Sequence, residues 1–262
     1  MKNILARIAA TKMREVRAAM QMLPEDNLTD IIAAGSYTPA SLSRSVKSSV
    51  TAIIAEHKRA SPSRGEIAPM SEVSDVVKSY TEAGAAGISV LTDTPYFGGS
   101  LTDLCVARRS TSTPLLRKDF VLHPYQLLQA RAFGADAVLL IAAMLTPREI
   151  TLLADRAHSL GLEVLLEIHS AEEAASAPSG SADLIGINNR DLRDFSTSLE
   201  ASMRLADLLP ADAVKIAESG ISCPSDIITL KQAGFDGFLI GEAFMSTPAP
   251  GLTLSRFIEE SR

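Results

Sequence analysis

The feature that most constrains this chain is an alternation. Eight short runs rich in Val, Ile and Leu recur along it: TAIIAE (51–56), GISVL (87–91), PLLRK (114–118), AVLLI (137–141), EVLLE (163–167), LIGIN (184–188), AVKIAE (213–218) and GFLIG (237–241). Runs this apolar read as strands buried on both faces, the condition of a parallel sheet. Longer amphipathic stretches separate them, and several carry helix punctuation. Ser71 precedes EVSDVVKSYTEAG, Thr146-Pro147 opens PREITLLADRAHSLG, and Ser222 with Pro224 introduces SDIITLKQAG. These stretches close on Gly84, Gly161 and Gly234. A hydroxyl or Pro at the start deals with orphan N–H groups, and Gly at the end accepts left-handed backbone. Eight strand–helix units predict an α/β fold, a (β/α)8 TIM barrel. The rival, an open doubly wound sheet, would show a G-x-G-x-x-G turn after its first strand, and that turn is absent.

Residues 1–48 precede the first run. Ile4, Leu5, Ile8, Met13, Val16 and Met20 recur at helical spacing, and a second helix is expected through DNLTDIIAA. These extra N-terminal helices would cap one end of the barrel. Thr38-Pro39 and the serines at 41–49 read as a polar connection. Residues 1–60 hold nine Lys/Arg against five Asp/Glu, an excess that reads as a solvated basic helix face. With no boundary visible elsewhere, residues 1–262 read as one barrel domain, and AASAPSGSAD (174–183) as a surface loop.

Charge and composition exclude several classes. The net charge of −6 lacks the basic footprint of a general nucleic-acid binder. Cys105 and Cys223 give no disulfide framework, which suits a reducing compartment. His57, His123, His158 and His169 show no ligand spacing, so no metal site is expected. No run of about 18 apolar residues reaches across a membrane, and the N-terminus lacks a signal-peptide core. A cytoplasmic protein, monomeric or weakly self-associating, is expected.

In such a barrel, chemistry gathers at the C-terminal ends of the strands. The first run ends in Glu56 and Lys58, which share a face because they are two apart. The third ends in Lys118, the fifth in Glu167, and the sixth in Asn188 with Arg190 two residues on. The seventh ends in Glu218, Ser219 and Gly220, and the eighth in Ile240, Gly241 and Glu242. Lysines, an arginine and carboxylates converging on one mouth suit acid–base chemistry; a mutually paired rim network is the rival reading. The turns ESG and IGE stand where barrels bind phosphate, although glycines there also serve as tight turns. The loop KRASPSRGEIAPM has the composition of a lid. Phe120 shares the Lys118 face and would meet an apolar part of a ligand.

Several longer strings narrow this further. IIAEHKRASPSRG (53–65), SVLTD with YFGGS (89–100), LLRKDF (115–120), GINNRDL (186–192), AESGI (217–221) and LIGEAFM (239–245) resemble those of indole-3-glycerol-phosphate synthases, as do HPYQLLQAR (123–131) and ADAVLLIAAML (135–145). The resemblance spans nearly the whole chain. It implies a phosphorylated small-molecule substrate, 1-(2-carboxyphenylamino)-1-deoxyribulose 5-phosphate, closed to indole-3-glycerol phosphate with loss of CO2 and water, without cofactor or metal. It implies that Lys118 is the general acid and Glu167 the general base of dehydration, with Lys58 a second acid, Glu56 holding the lysines and Asn188 placing substrate oxygens. Ser61 and Arg190 would support the anionic substrate, and Phe120 the aromatic ring. Ser219, Gly220, Gly241 and the Glu242 backbone would hold the phosphate, aided by Lys58, and Glu218 and Ile240 would also bind substrate. Crowding by Lys58 or Arg190 would lower the Lys118 pKa. Some relatives carry Ser where Glu242 stands, and a carboxylate there would repel phosphate unless turned away. Other phosphate-binding barrels, a Schiff-base aldolase and a catalytically silent barrel remain as alternatives.

Overall fold

A computed structural model describes residues 4–35, 37–190 and 197–262. Eight parallel strands close a barrel in chain order: β1 (Ala52–His57), β2 (Gly87–Leu91), β3 (Leu115–Lys118), β4 (Ala137–Ile141), β5 (Glu163–Ile168), β6 (Leu184–Asn188), β7 (Lys215–Glu218) and β8 (Gly237–Ile240), the last pairing with the first. The apolar runs are therefore the barrel, displaced by two residues at most. Alternation along each strand divides the core into two layers. Ala52, Ile54, Leu116, Leu139, Leu165, Leu184, Ile216 and Leu239 fill the interior. Ile53, Val90, Leu115, Val138, Val164, Ile187 and Phe238 face the surrounding helices.

Three helices precede β1: α1 (Ile4–Met22), α2 (Glu25–Ala34) and α3 (Leu42–Ser48). The third corrects the reading of 41–49 as a polar connection. Leu42 and Val46, four apart, make one apolar face, and both are buried in the barrel interior beside Ala52 and Ile216. The serines serve the helix end instead: Ser41 accepts from the Arg44 N–H, and the Glu163 carboxylate accepts from Ser41, Ser43 and the Ser43 N–H. The basic α1 is also only partly a solvated face, because Lys12 on it is buried.

Two caps differ from expectation. Helix Val73–Glu82 starts at Glu72 without a side-chain cap. Ser71 instead donates to the Ala68 carbonyl and meets His57 Nε2 at 3.0 Å. The cap position before Pro224–Gln232 is Cys223, and Ser222 reaches the Asp226 carboxylate. Thr146 caps Pro147–Ser159 as read, in a reciprocal box with Glu149. The segment 174–183 is not loop throughout, since Ala171–Ser176 is helical behind a Ser170 cap.

His57, at the end of β1, gives a pH prediction. Burial, with Arg59 nearby, lowers its pKa to about 4. The unfolded chain takes up this proton near pH 6.5 and the folded chain only near 4, so stability is lost as pH falls through that window. His57→Gln should flatten this acid limb in melting experiments; parallel curves for variant and wild type would refute the assignment.

Candidate active site

A cavity of about 840 Å3 opens at the C-terminal ends of the strands. Its deepest groups are placed by alternation. Glu56 follows Ala52 and Ile54 on the inner face of β1, Lys118 follows Leu116, Glu167 follows Leu165, and Glu218 follows Ile216. Asn188 stands beside Glu218 in the β6–β7 register. Two glycines make room for these side chains. A Cβ at Gly186 would lie 2.1 Å from Glu218 Oε1, and one at Gly241 would lie 2.8 Å from Glu56 Oε1.

The polar groups form a charge cluster. Lys118 Nζ donates to Glu167 Oε2 at 3.0 Å and to Glu218 Oε2 at 2.5 Å. Lys58 Nζ lies 2.9 Å from Glu56 Oε1, and Ser89 donates to the other Glu56 oxygen. Burial would lower the Lys118 pKa, but Glu218, Glu167 and Glu56 together outweigh it and raise the pKa above the usual lysine value. This corrects the expectation of a lysine tuned towards neutrality: its neighbours are carboxylates, not Lys58 or Arg190. Burial works to raise the Glu167 pKa, and Lys118 with His169 overcomes it, so Glu167 stays ionised far below the usual range. Glu218 moves the other way, to about 7, through burial and the charge of Glu167 against the pull of Lys118. Two carboxylates on one lysine are thus driven apart in proton affinity, as acid–base sites require.

Two glycine-containing turns lie beyond this cluster. Ser219 and Gly220 both adopt left-handed backbone, φ 66° and 74°, and Ser219 is the one non-glycine among the described residues to do so. Gly241 leads into the short helix Glu242–Met245, the position where barrels of this type hold anions. The Glu242 carboxylate meets Arg64 Nε at 3.0 Å and Arg190 Nη2 at 3.9 Å. One wall is apolar: Phe120 packs against Tyr96 and Phe97, with centroids 6.5 and 6.1 Å away, and Ile4, Leu5 and Ile8 of α1 complete it. The loop after β1 folds as a small ribbon, Ala60–Ser61 against Gly65–Glu66, with Ser61 buried.

Every residue singled out from the sequence lines this cavity: Glu56, Lys58, Ser61, Lys118, Phe120, Glu167, Asn188, Arg190, Glu218, Ser219, Gly220, Ile240, Gly241 and Glu242. Ile240 does so with its backbone, since its side chain packs in the outer layer. The sequence reading missed Arg64, Ser89, His169 and Lys12. His169 carried a signal, lying two residues beyond Glu167 on the same face. Lys12 and Arg64 carried none, because the buried partners of Lys12, Asp93 and Asp119, and the Glu242 partner of Arg64 lie far away in the chain.

Fold and site together define a class: a (β/α)8-barrel enzyme equipped for acid–base chemistry. Comparison with known proteins makes it specific. The family model described as Indole-3-glycerol phosphate synthase matches residues 5–257. The Indole-3-glycerol phosphate synthase of Bacteroides thetaiotaomicron is 51% identical, over 99% of both chains. That of Burkholderia vietnamiensis is 43% identical, over 98% of this chain and 99% of its own. Among solved structures, a 3-hexulose-6-phosphate synthase superposes with TM-score 0.64 at 12% identity, covering 81% of this chain and all of its own, a likeness of fold alone. The chain belongs to the indole-3-glycerol phosphate synthase family, carboxy-lyases of tryptophan biosynthesis.

Proposed function

We propose that this cavity closes the indole ring of 1-(2-carboxyphenylamino)-1-deoxyribulose 5-phosphate by general acid–base catalysis, with Lys118 as the central acid. The observation that supports this most directly is the position of Lys118 Nζ, gripped by Glu167 and Glu218 on the inner barrel wall between an aromatic wall and two glycine turns. In this reading the substrate's aromatic ring lies along Phe120, and its phosphate takes the Ser219–Gly220 and Gly241–Glu242 turns. The ring carbon bearing the carboxylate attacks the ketone, and Lys118 donates its proton to the developing alkoxide. Such an alkoxide is a stronger base than an amine, so a lysine held fully protonated still transfers downhill. CO2 then leaves. That loss restores the benzene ring; Lys58, steadied by Glu56, then donates to the departing hydroxyl while Glu167 removes the proton whose loss makes the new pyrrole ring aromatic. Asn188 places substrate oxygens; Ser61 and Arg190 support the anionic groups, and Glu218 holds Lys118 in place. A Schiff-base route fits poorly, because it needs a free amine and the carboxylates keep this one charged.

The test is direct: purified protein mixed with the carboxyphenylamino-deoxyribulose phosphate should develop indole emission. The chain has no tryptophan, so its own background is low. Binding without any emission would overturn the reading.

Glu242 adds a second expectation. Its carboxylate sits at the proposed phosphate end and occupies Arg64 and Arg190. Glu242→Gln removes one like charge from the phosphate's surroundings, and KM should fall about fivefold at low salt, an effect that shrinks as salt rises. An unchanged or higher KM would place the phosphate elsewhere.

A further inference from the structure

We propose that His169 is a positioning residue for Glu167, clamping the carboxylate in the mouth from the side opposite Lys118. The inference rests on the reading of Glu167 as the base. Glu167 is held at both oxygens: Oε2 faces Lys118 Nζ at 3.0 Å, and Oε1 faces His169 Nε2 at 3.3 Å. The imidazole is itself held from behind, with Nδ1 3.5 Å from Glu173 Oε2. The same Glu173 oxygen accepts the His169 N–H at 2.7 Å, which fixes the backbone where β5 leaves the barrel. Glu173 belongs to the helix Ala171–Ser176, capped by Ser170. A carboxylate–imidazole–carboxylate chain thus runs from that helix into the site.

His169 does not line the cavity, so its influence passes through Glu167. Its side chain is 12% exposed, and its contacts are ion pairs rather than well-aligned hydrogen bonds. The groups facing it are Glu167 on its own strand and Glu173 on the following helix; behind Glu167 stand Lys118 of β3 and Glu218 of β7. Burial would lower the imidazole pKa, and the two carboxylates outweigh it and push it up to about 10, so the ring is a cation at neutral pH. Glu167 therefore lies between two cations. That arrangement fixes its orientation, and it keeps the base ionised when Lys118 gives up its proton to the substrate.

The test uses the pH profile of kcat for wild type, His169→Ala, His169→Gln and Glu167→Gln. His169→Ala frees the carboxylate, and kcat should drop roughly 10- to 100-fold with KM within about twofold. His169→Gln keeps a polar group of similar reach and should recover most of that loss at neutral pH. Both variants lack the cation, so the acid limb of kcat should move up by about one pH unit. A role confined to stability would lower the melting temperature and leave that limb in place. Should His169→Ala fail to fold, the limb in His169→Gln decides. A kcat within twofold of wild type with an unmoved limb overturns the inference. Near wild-type turnover in Glu167→Gln would instead overturn the underlying assignment of the base.

Discussion

Lys118→Met should fold and bind substrate but turn over at least about 1,000-fold more slowly than wild type, because it removes the general acid and the cation that Glu167 and Glu218 share. Methionine matches the length of the stem, so the cavity keeps its shape. The two carboxylates, now facing each other without the lysine, will share a proton. Proton uptake restrains the cost to stability, and the prediction is a large loss in kcat with a modest loss in melting temperature. Lys118→Arg should not rescue, since the broad planar guanidinium cannot take the place of a compact ammonium seated between Glu167 and Glu218. Single-turnover indole fluorescence distinguishes the steps; a Lys118→Met variant within tenfold of wild type would remove the lysine from the chemistry.

The same lysine marks the limit of what could be read before the structure. Its place at the mouth follows from local facts: strand periodicity sets which side chains point inwards, and chain order sets which ends share a mouth. Glu56, Lys118, Glu167 and Glu218 were legible for that reason. Its electrostatics were not. Whether a lysine is crowded by cations or by carboxylates depends on which neighbours come within 3 Å across the barrel, and no periodicity carries that. The helix Leu42–Ser48 was hidden differently. Its serines looked like connection, while two apolar residues four apart were enough to seat it in the barrel floor. Buried Lys12 was hidden most completely, because its partners Asp93 and Asp119 lie more than eighty residues on and nothing in α1 distinguishes it from the solvent-facing bases around it.

Lys12 supports the second large effect, this time on stability. Its ammonium lies 2.8 Å from Asp93, 2.9 Å from Asp119 and 2.7 Å from Glu15, with both aspartates almost fully buried. Asp119 also holds Arg117 and Thr92, and Asp93 caps Thr94–Phe97 through the Tyr96 N–H. Lys12→Met leaves Asp93 without its cation inside the protein, a loss of about 3–5 kcal/mol in denaturant unfolding. Lys12→Met with Asp93→Asn should recover part of it, because the amide carries no charge to leave unpaired. The sign with pH is fixed. Burial opposes the charged form of Lys12, yet the aspartates raise its pKa, so its contribution is complete below the unfolded lysine value near 10 and is lost only as pH rises through the higher folded value. Burial likewise opposes the charge on Asp119, and Arg117 and Lys12 bring its pKa down to about 2; its contribution is complete above about pH 4 and is lost as pH falls towards 2. The gap between wild type and variant should therefore be flat from about pH 5 to 9 and close at the acid end. Function should follow the same lever. Ile4, Leu5 and Ile8 of α1 form part of the cavity wall, so loosening the anchor of that helix should raise KM more than it lowers kcat. A variant with unchanged unfolding free energy would show that α1 is seated by its apolar face alone.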